Sequence, residues 1–294
     1  MTAMDKKFDR DTIIDAIRRV PLLSPSASRL LELSANPEHD LSEVIDIVKC
    51  DAPLTAHVLR IVNSAAFGLL NKIESIDRAV AYLGERLVVS IALGDNAGAL
   101  FNKPLAGYDG EKGALWRHDL LTAMASRHIS QKARVELNAG LAFTGGILHD
   151  IGKGILSDFL HDTAPELVES LEKHAIVDYL EGERALLGID HAEAGFEVAT
   201  CWQLPEALQM IIRYHHQPHK APEAFRALVY AVHLGDIIAM MGGRGTGADT
   251  LQYPLDPKYS DYLDLTFDDL ALVLLETEEE FRRIEASFHE TKEN

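Results

Sequence analysis

The chain has 294 residues, 47% of them hydrophobic and 25% charged, with a formal net charge of −18. That length and composition suit an ordinary globular protein with a sizeable core. The acidic balance, with no basic cluster beyond the small pair Lys132 and Arg134, excludes the usual duplex nucleic-acid binder and disfavours an anionic membrane surface, so the expectation is no nucleic acid and no membrane partner.

In chain order, the first segment, MTAMDKKFDRDTIIDAIRRV, is charged and lacks an apolar core, so no signal peptide is expected. Helical periodicity then dominates, and period-2 alternation never persists. Ser24-Pro25 puts a cap residue and a helix-compatible proline ahead of SASRLLELSAN. Asp40 and Glu43 have the spacing of a capping box before VIDIVKC. Ser75 precedes IDRAVAYL, and Gly84 stands where a C-terminal glycine belongs. Residues 102–113 read as a loop and as the boundary between two helical lobes, 1–104 and 105–294. Asp190 and Glu193 repeat the box spacing before AGFEVATCW. Residues 241–260 form a long Gly-rich loop, either mobile or lying over a cleft. Thr266 and Asp269 open a last helix that has apolar and acidic faces and runs towards His289. The expected fold class is all-α, a two-lobed multi-helix protein. No apolar stretch reaches the roughly 20 residues of a spanning helix. Cys50 and Cys201 lie outside any metal-type spacing, which suits a reducing compartment. The expected location is the cytoplasm.

The thirteen histidines carry the chemical signal. His118 continues the apolar stripe Leu121, Thr122, Ala125, Ile129 one turn earlier. Val229, His233, Asp236 and Met240 form another stripe, with a carboxylate in its middle, where it needs a partner, a proton or a metal. His215 and His216 fall near the apolar side set by Leu208, Ile211 and Ile212. His191 opens a helix, and Gly195 one turn on leaves room beside it. In GGILHDIGK, His149 and Asp150 close an apolar run. Any one inward histidine is usually a satisfied core residue, and Asp150 alone reads as a cap. Six such positions together read as a site for a divalent transition metal, Fe, Mn, Ni or Zn, with one or two ions. His215 and His216 stay as alternatives. His233 reads as a core residue or a partner of Asp236. His128, His161, His174, His219 and His289 read as surface or loop residues, and His39 and His57 receive no role.

The order of these residues, an early His, then HD, a spaced His, HH and a late Asp, resembles the HD superfamily of metal-dependent phosphohydrolases. VPLLSPSASRLLELS, VKCDAPLTAHVLRIVNSAAFG, IESIDRAVAYLG, GGILHDIGK, IDHAEAGFEVATCWQLP and IIRYHHQP resemble, more closely, the HDOD domain of bacterial signalling proteins over about residues 20–240. The resemblance implies that His118, His149, Asp150 and Asp236 hold one metal, and that His191 with His215 or His216 joins Asp150 around a second. Lys153 matches the lysine that contacts phosphate in HD-GYP cyclic di-GMP phosphodiesterases, whereas QPHKAP after HH lacks their DGxGYP loop.

Two functions follow as expectations. One is a bacterial regulatory HDOD module with an HD-type metal site, acting with a signalling protein partner or a small phosphorylated ligand. Its input would come from such a partner, and its last helix offers a docking face. The other is a metal-dependent phosphohydrolase acting on a phosphomonoester, nucleotide or cyclic nucleotide. There Asp150 and Lys153 are the catalytic candidates, one orienting the water nucleophile and the other neutralising charge on the phosphate. Arg117 joins Lys153 as a source of local positive charge.

Overall fold

A computed structural model describes residues 8–36 and 38–290 of the chain. Among the described residues the regular elements are helices, and the extended pairings are two isolated bridges, Leu105 with Gly110 and Ala133 with Leu263. The protein is all-α.

Local chemistry sets the helix ends. Ser24 Oγ accepts from the Ala27 amide at the start of helix Pro25–Ala35, with Pro25 in the first turn. Asp40 and Glu43 form a reciprocal capping box on helix Leu41–Cys50. Ser75 caps helix Ile76–Leu83, and Gly84 ends it at φ +79°, a conformation that an L side chain resists. Thr266 and Asp269 cap each other's amides at the start of helix Phe267–Glu290. At Asp190 only half of the expected box forms. Its carboxylate accepts from the Glu193 amide, while the Glu193 carboxylate turns away to Arg10, at 2.7 Å.

The site-bearing half is organised around helix Ala114–Ser130, most of whose side chains are buried. It packs against helices Ala139–Leu148 and Glu223–Met241, the most extensive helix contacts in the protein. Gly146 permits the first of these contacts, because a Cβ there would lie 2.5 Å from Ala123 Cα. Close approach recurs beyond the HD pair. A Cβ on Gly152 would sit 1.9 Å from the His191 carbonyl oxygen, so glycine lets the 149–153 turn rest on helix His191–Cys201. The main apolar cluster runs from Ile13 to Phe281. A smaller one, with Tyr230, Leu234, Ile238, Leu263 and Val273, ties helix Phe267–Glu290 to the centre.

One expectation changes. Helix Glu223–Met241, 19 residues long, is long and apolar enough to cross a membrane by length and composition. Its window is 72% buried inside the protein, and its apolar character serves the core. Residues 102–113 are a loop, as read, with one short 3-10 turn, Ala106–Tyr108, and part of it packs inward. Gly107 donates to Ser157 Oγ, and the Tyr108 ring is fully buried, because these residues wall one side of the site described next.

Candidate metal centre

Five elements deliver polar side chains to one interior point. His118 lies in the second turn of helix Ala114–Ser130. Helix Ala139–Leu148 ends at His149 and hands Asp150 to a tight turn, after which Lys153 opens helix Lys153–Phe159. His191 is the first residue of helix His191–Cys201. Helix Glu206–Tyr214 ends at His215, followed at once by His216. Asp236 projects from helix Glu223–Met241. None of these eight side chains belongs to a residue more than 6% exposed.

The donors fall into two sets that share Asp150. In the first, His118 Nε2 lies 3.1 Å from Asp236 Oδ1 and 3.5 Å from Asp150 Oδ2. His149 Nε2 lies 3.5 Å from the same Asp150 oxygen and 3.8 Å from Asp236 Oδ1. In the second, the other oxygen, Asp150 Oδ1, lies 3.3 Å from His191 Nε2 and 3.4 Å from His215 Nε2. His216 Nε2 is 3.0 Å from His191 Nε2. The two alternatives His215 and His216 thus come to the same place.

Backbone and carboxylate acceptors hold these rings so that Nε2 faces inward. Nδ1–H of His118 donates to the Arg244 carbonyl at 2.7 Å, that of His149 to Gly146 at 2.8 Å, and that of His215 to Ile212 at 2.8 Å. His191 Nδ1 faces both oxygens of Glu183 at 2.9 Å. Glu183 is itself fixed by the Tyr108 hydroxyl, at 2.7 Å, and by the His191 amide. A bond of this kind on one ring nitrogen fixes the tautomer and leaves the other nitrogen's lone pair for a ligand.

Electrostatics divide the cluster. Burial pushes the Asp150 carboxyl up, but the charges of Lys153 and His149 outweigh it and hold the group well below the usual carboxylate range. Burial likewise opposes ionisation of Asp236, and His118 and His149 reverse the outcome. Burial lowers His215 to about 4 and takes His216 well below its ordinary value, so both are neutral near pH 7. His118 and His191 go the other way. Burial lowers them, yet Asp236 and Glu183 respectively raise them above 6.5.

These residues fit a metal. Nε2 of His118, His149 and His215, Oδ1 of Asp150 and Oδ2 of Asp236 are buried without a hydrogen-bond partner, a costly arrangement for polar atoms, while Asp150 Oδ2 has the Lys153 ammonium at 2.7 Å. Two ligands at about 2.1 Å from one ion stand about 3.0 Å apart in octahedral and about 3.4 Å apart in tetrahedral geometry. The observed separations of 3.1–3.8 Å around Asp150 Oδ2 and 3.3–3.4 Å around Oδ1 lie at or slightly above those spacings. Neutral imidazoles with two carboxylates suit a divalent transition metal better than calcium.

Of the two readings of His233 the core residue is the one observed, and Arg117 lies apart from the centre. His233 makes no bond to Asp236. Its Nδ1–H donates to the His215 carbonyl at 2.8 Å, and its Nε2 accepts from the Asp256 amide at 3.0 Å. It is a satisfied core residue that braces the backbone of His215. Arg117 contributes no charge to the centre and instead donates to the Lys112 carbonyl at the helix start. His289 lies where side chains are outside the described residues.

Sequence reasoning missed Glu183, Asp249 and Asp119. Glu183 carried the signal already used for Asp236, since Tyr179, Glu183, Leu186 and Leu187 form one buried stripe at helical spacing. Asp119 is fully buried with neither oxygen hydrogen-bonded, His149 Nδ1 lies 3.7 Å from its Oδ1, and burial raises its carboxyl well above the usual range. Asp249 sits in the Gly-rich loop, where no periodicity marks a buried position.

The HDOD domain model matches residues 20–218. An uncharacterized protein of Treponema pallidum (strain Nichols) is 27% identical over 224 residues, which cover 75% of this chain. The match spans 42% of that relative's length, so the relative is a much longer protein. An HDOD domain protein of unknown function from Geobacter sulfurreducens superposes with TM-score 0.68 at 24% identity, covering 95% of this chain and 96% of the other. A candidate signal transduction protein from Marinobacter aquaeolei VT8 superposes with TM-score 0.72 at 24% identity, covering 95% and 64%. At such identities the superpositions establish a shared fold. With the domain model spanning two thirds of its residues, the chain belongs to the HDOD family.

Proposed function

We propose that the chain is a bacterial, cytoplasmic regulatory module whose His/Asp cluster holds one or two divalent transition-metal ions and responds to a small phosphorylated ligand. The observation that carries this reading is closure. Every donor is buried, and Thr246, Asp249 and Tyr253, all near zero exposure, cover the centre. An enzyme needs an open coordination position facing substrate, whereas a binding module does not. His118, His149, Asp150 and Asp236 are the proposed holders of one ion, and His191, His215 and His216 with Asp150 of the other. Lys153 is the proposed anion contact, and the exposed Leu272 and Leu275 of helix Phe267–Glu290 offer a face to a signalling partner.

A second reading, metal-dependent phosphohydrolase, draws support from Asp150, whose two oxygens address the two donor sets separately. A bound divalent ion would supply Lewis acidity for hydrolysis. In that reading Asp150 orients the water nucleophile, and Lys153 neutralises charge on the phosphoryl oxygens. Metal-reconstituted protein assayed with nucleotides, cyclic dinucleotides and a generic phosphodiester separates the two. The module predicts inertness with metal retained. Turnover that Asp150→Ala abolishes in a folded protein would overturn it in favour of the hydrolase.

A further inference from the structure

The segment 242–256 crosses the centre as a strap. It contacts His118, Lys153, His191 and His216 of the site. The Arg244 carbonyl holds His118. The Tyr253 ring stacks on His216, with centroids 3.9 Å apart and planes 19° apart. The Asp256 amide engages His233, and the Ala248 amide donates to the Tyr108 carbonyl. The strap carries Gly242, Gly243, Gly245 and Gly247, of which Gly243 (φ +77°) and Gly247 (φ +149°) adopt backbone open mainly to glycine.

At its middle lies Asp249, 0% exposed. Its Oδ2 is 2.6 Å from Lys153 Nζ and accepts from the Tyr253 hydroxyl at 2.8 Å. The Thr246 hydroxyl lies 2.8 and 3.0 Å from its two oxygens and accepts from Lys153 Nζ at 3.1 Å. One ammonium and two hydroxyls therefore converge on a single anion. That is the donor set of an oxyanion receptor, filled here by a side chain of the protein itself. Lys153 Nζ also lies 2.7 Å from Asp150 Oδ2. An anion that replaced Asp249 on Lys153 would consequently lie beside the shared carboxylate of the two donor sets. Lys153 has no exposed side through which a second anion could reach it, since the residue is 2% exposed.

We propose that Asp249 is a built-in surrogate for a phosphoryl anion, and that a phosphorylated ligand binds at Lys153 only by displacing it and releasing the strap. Ligand binding and strap opening are then one event, with the glycine-flanked segment as the moving part. This rests on the reading of Lys153 as an anion contact. A phosphate monoester, carrying more charge and more acceptors than a carboxylate, competes well for the same donors.

The test uses the full chain and inorganic phosphate. Calorimetry gives phosphate affinity, and hydrogen–deuterium exchange gives the protection of amides 244–253. Asp249→Asn is expected to bind phosphate at least about tenfold more tightly than the parent. Saturating phosphate is expected to speed exchange across 244–253 in the parent chain. Lys153→Gln is expected to abolish binding. If Asp249→Asn leaves affinity unchanged while Lys153→Gln abolishes it, the surrogate role is overturned and the anion contact stands. If Lys153→Gln leaves binding unchanged, or if the parent and Asp249→Asn both bind no phosphate, the anion contact itself falls. Should Asp249→Asn fail to fold by circular dichroism, Asp249→Ser, which removes the carboxylate and leaves the donors Lys153, Thr246 and Tyr253 in place, takes its place. It is expected to tighten phosphate severalfold, and unchanged affinity together with unchanged exchange in phosphate contradicts the proposal.

Discussion

Two regions of the molecule invite a search for function, and they differ in kind. One is an open cavity of about 950 Å³ between the N-terminal helices and helix Phe267–Glu290, lined by His39, Arg86, Arg127, Glu136 and Glu280 among others. The other is the His/Asp cluster, whose side chains are buried. In the cavity, two of the charges are answered, His39 by Glu85 at 2.8 Å and Arg127 by Glu280 at 2.6 Å. In the cluster, Nε2 of His118, His149 and His215, Nδ1 of His216, Oδ1 of Asp150 and Oδ2 of Asp236 are buried without a hydrogen bond. The lesson is that volume is a weaker guide to function than unsatisfied polarity. A cavity with paired walls costs little to leave empty, whereas orphaned buried donors are stable only because something else is meant to satisfy them.

The comparison breaks most sharply at Asp150. Asp150→Ala removes the oxygens of both donor sets, and metal affinity is expected to fall by more than the roughly 10–100-fold typical when a ligand's supporting partner is lost. Retention of full metal content in a folded variant would contradict the shared-carboxylate geometry. Stripping the metal tests the same point through stability. At metal 1,000-fold above Kd, binding contributes about 4 kcal/mol. At roughly 2–4 °C per kcal/mol for a domain of this order of size, chelation should lower Tm by about 8–16 °C, and an unchanged Tm would argue against a resident ion. Glu183→Gln keeps the shape but removes the charge that orients His191. It is expected to weaken the metal about 10–100-fold, by equilibrium titration, and no change would relegate Glu183 to packing.

Acidity sharpens the contrast further. His118 and His191 have pKa values raised above 6.5, because Asp236 and Glu183 outweigh the lowering by burial. Metal must expel those protons. Affinity is therefore full above the raised values and falls as pH drops through them, by up to about tenfold per unit per proton displaced. His215, at about 4, remains neutral throughout that window. A metal affinity flat between about pH 8 and 5 would contradict this. The smallest effect is expected in the cavity. Arg86 lines it without a close ion pair among the described residues, and Arg86→Ala should leave metal content unchanged and stability within about 0.5 kcal/mol. A large loss there would erase the distinction between the two regions.

Much of this was legible in the sequence, for identifiable reasons. Helix caps at Ser24, Asp40, Ser75 and Thr266 are local chemistry, and they form as read. Asp236 and His118 announced themselves because a polar residue on an apolar stripe of one helix must face the interior, whatever the helix packs against. Where a role depends on the partner across the gap, the sequence is silent. His233 lies on the same stripe as Asp236, yet its bonds go to backbone atoms of two other segments. Asp190 and Glu193 had the spacing of a full box, but Arg10, 183 positions away, takes the Glu193 carboxylate. The 241–260 loop was readable as either mobile or a cover for a cleft. That Asp249 within it would be sealed against Lys153 was not, because loops carry no period from which burial can be inferred.

The most direct measurement is the transition-metal content of the chain purified without chelator, set beside that of Asp150→Ala. The expected result is between one and two equivalents of Fe, Mn, Ni or Zn per parent chain and less than a tenth of that in the folded variant. Parent protein that is metal-free as isolated, and that takes up none on titration with these ions, would contradict the assignment of the His/Asp cluster as a metal centre.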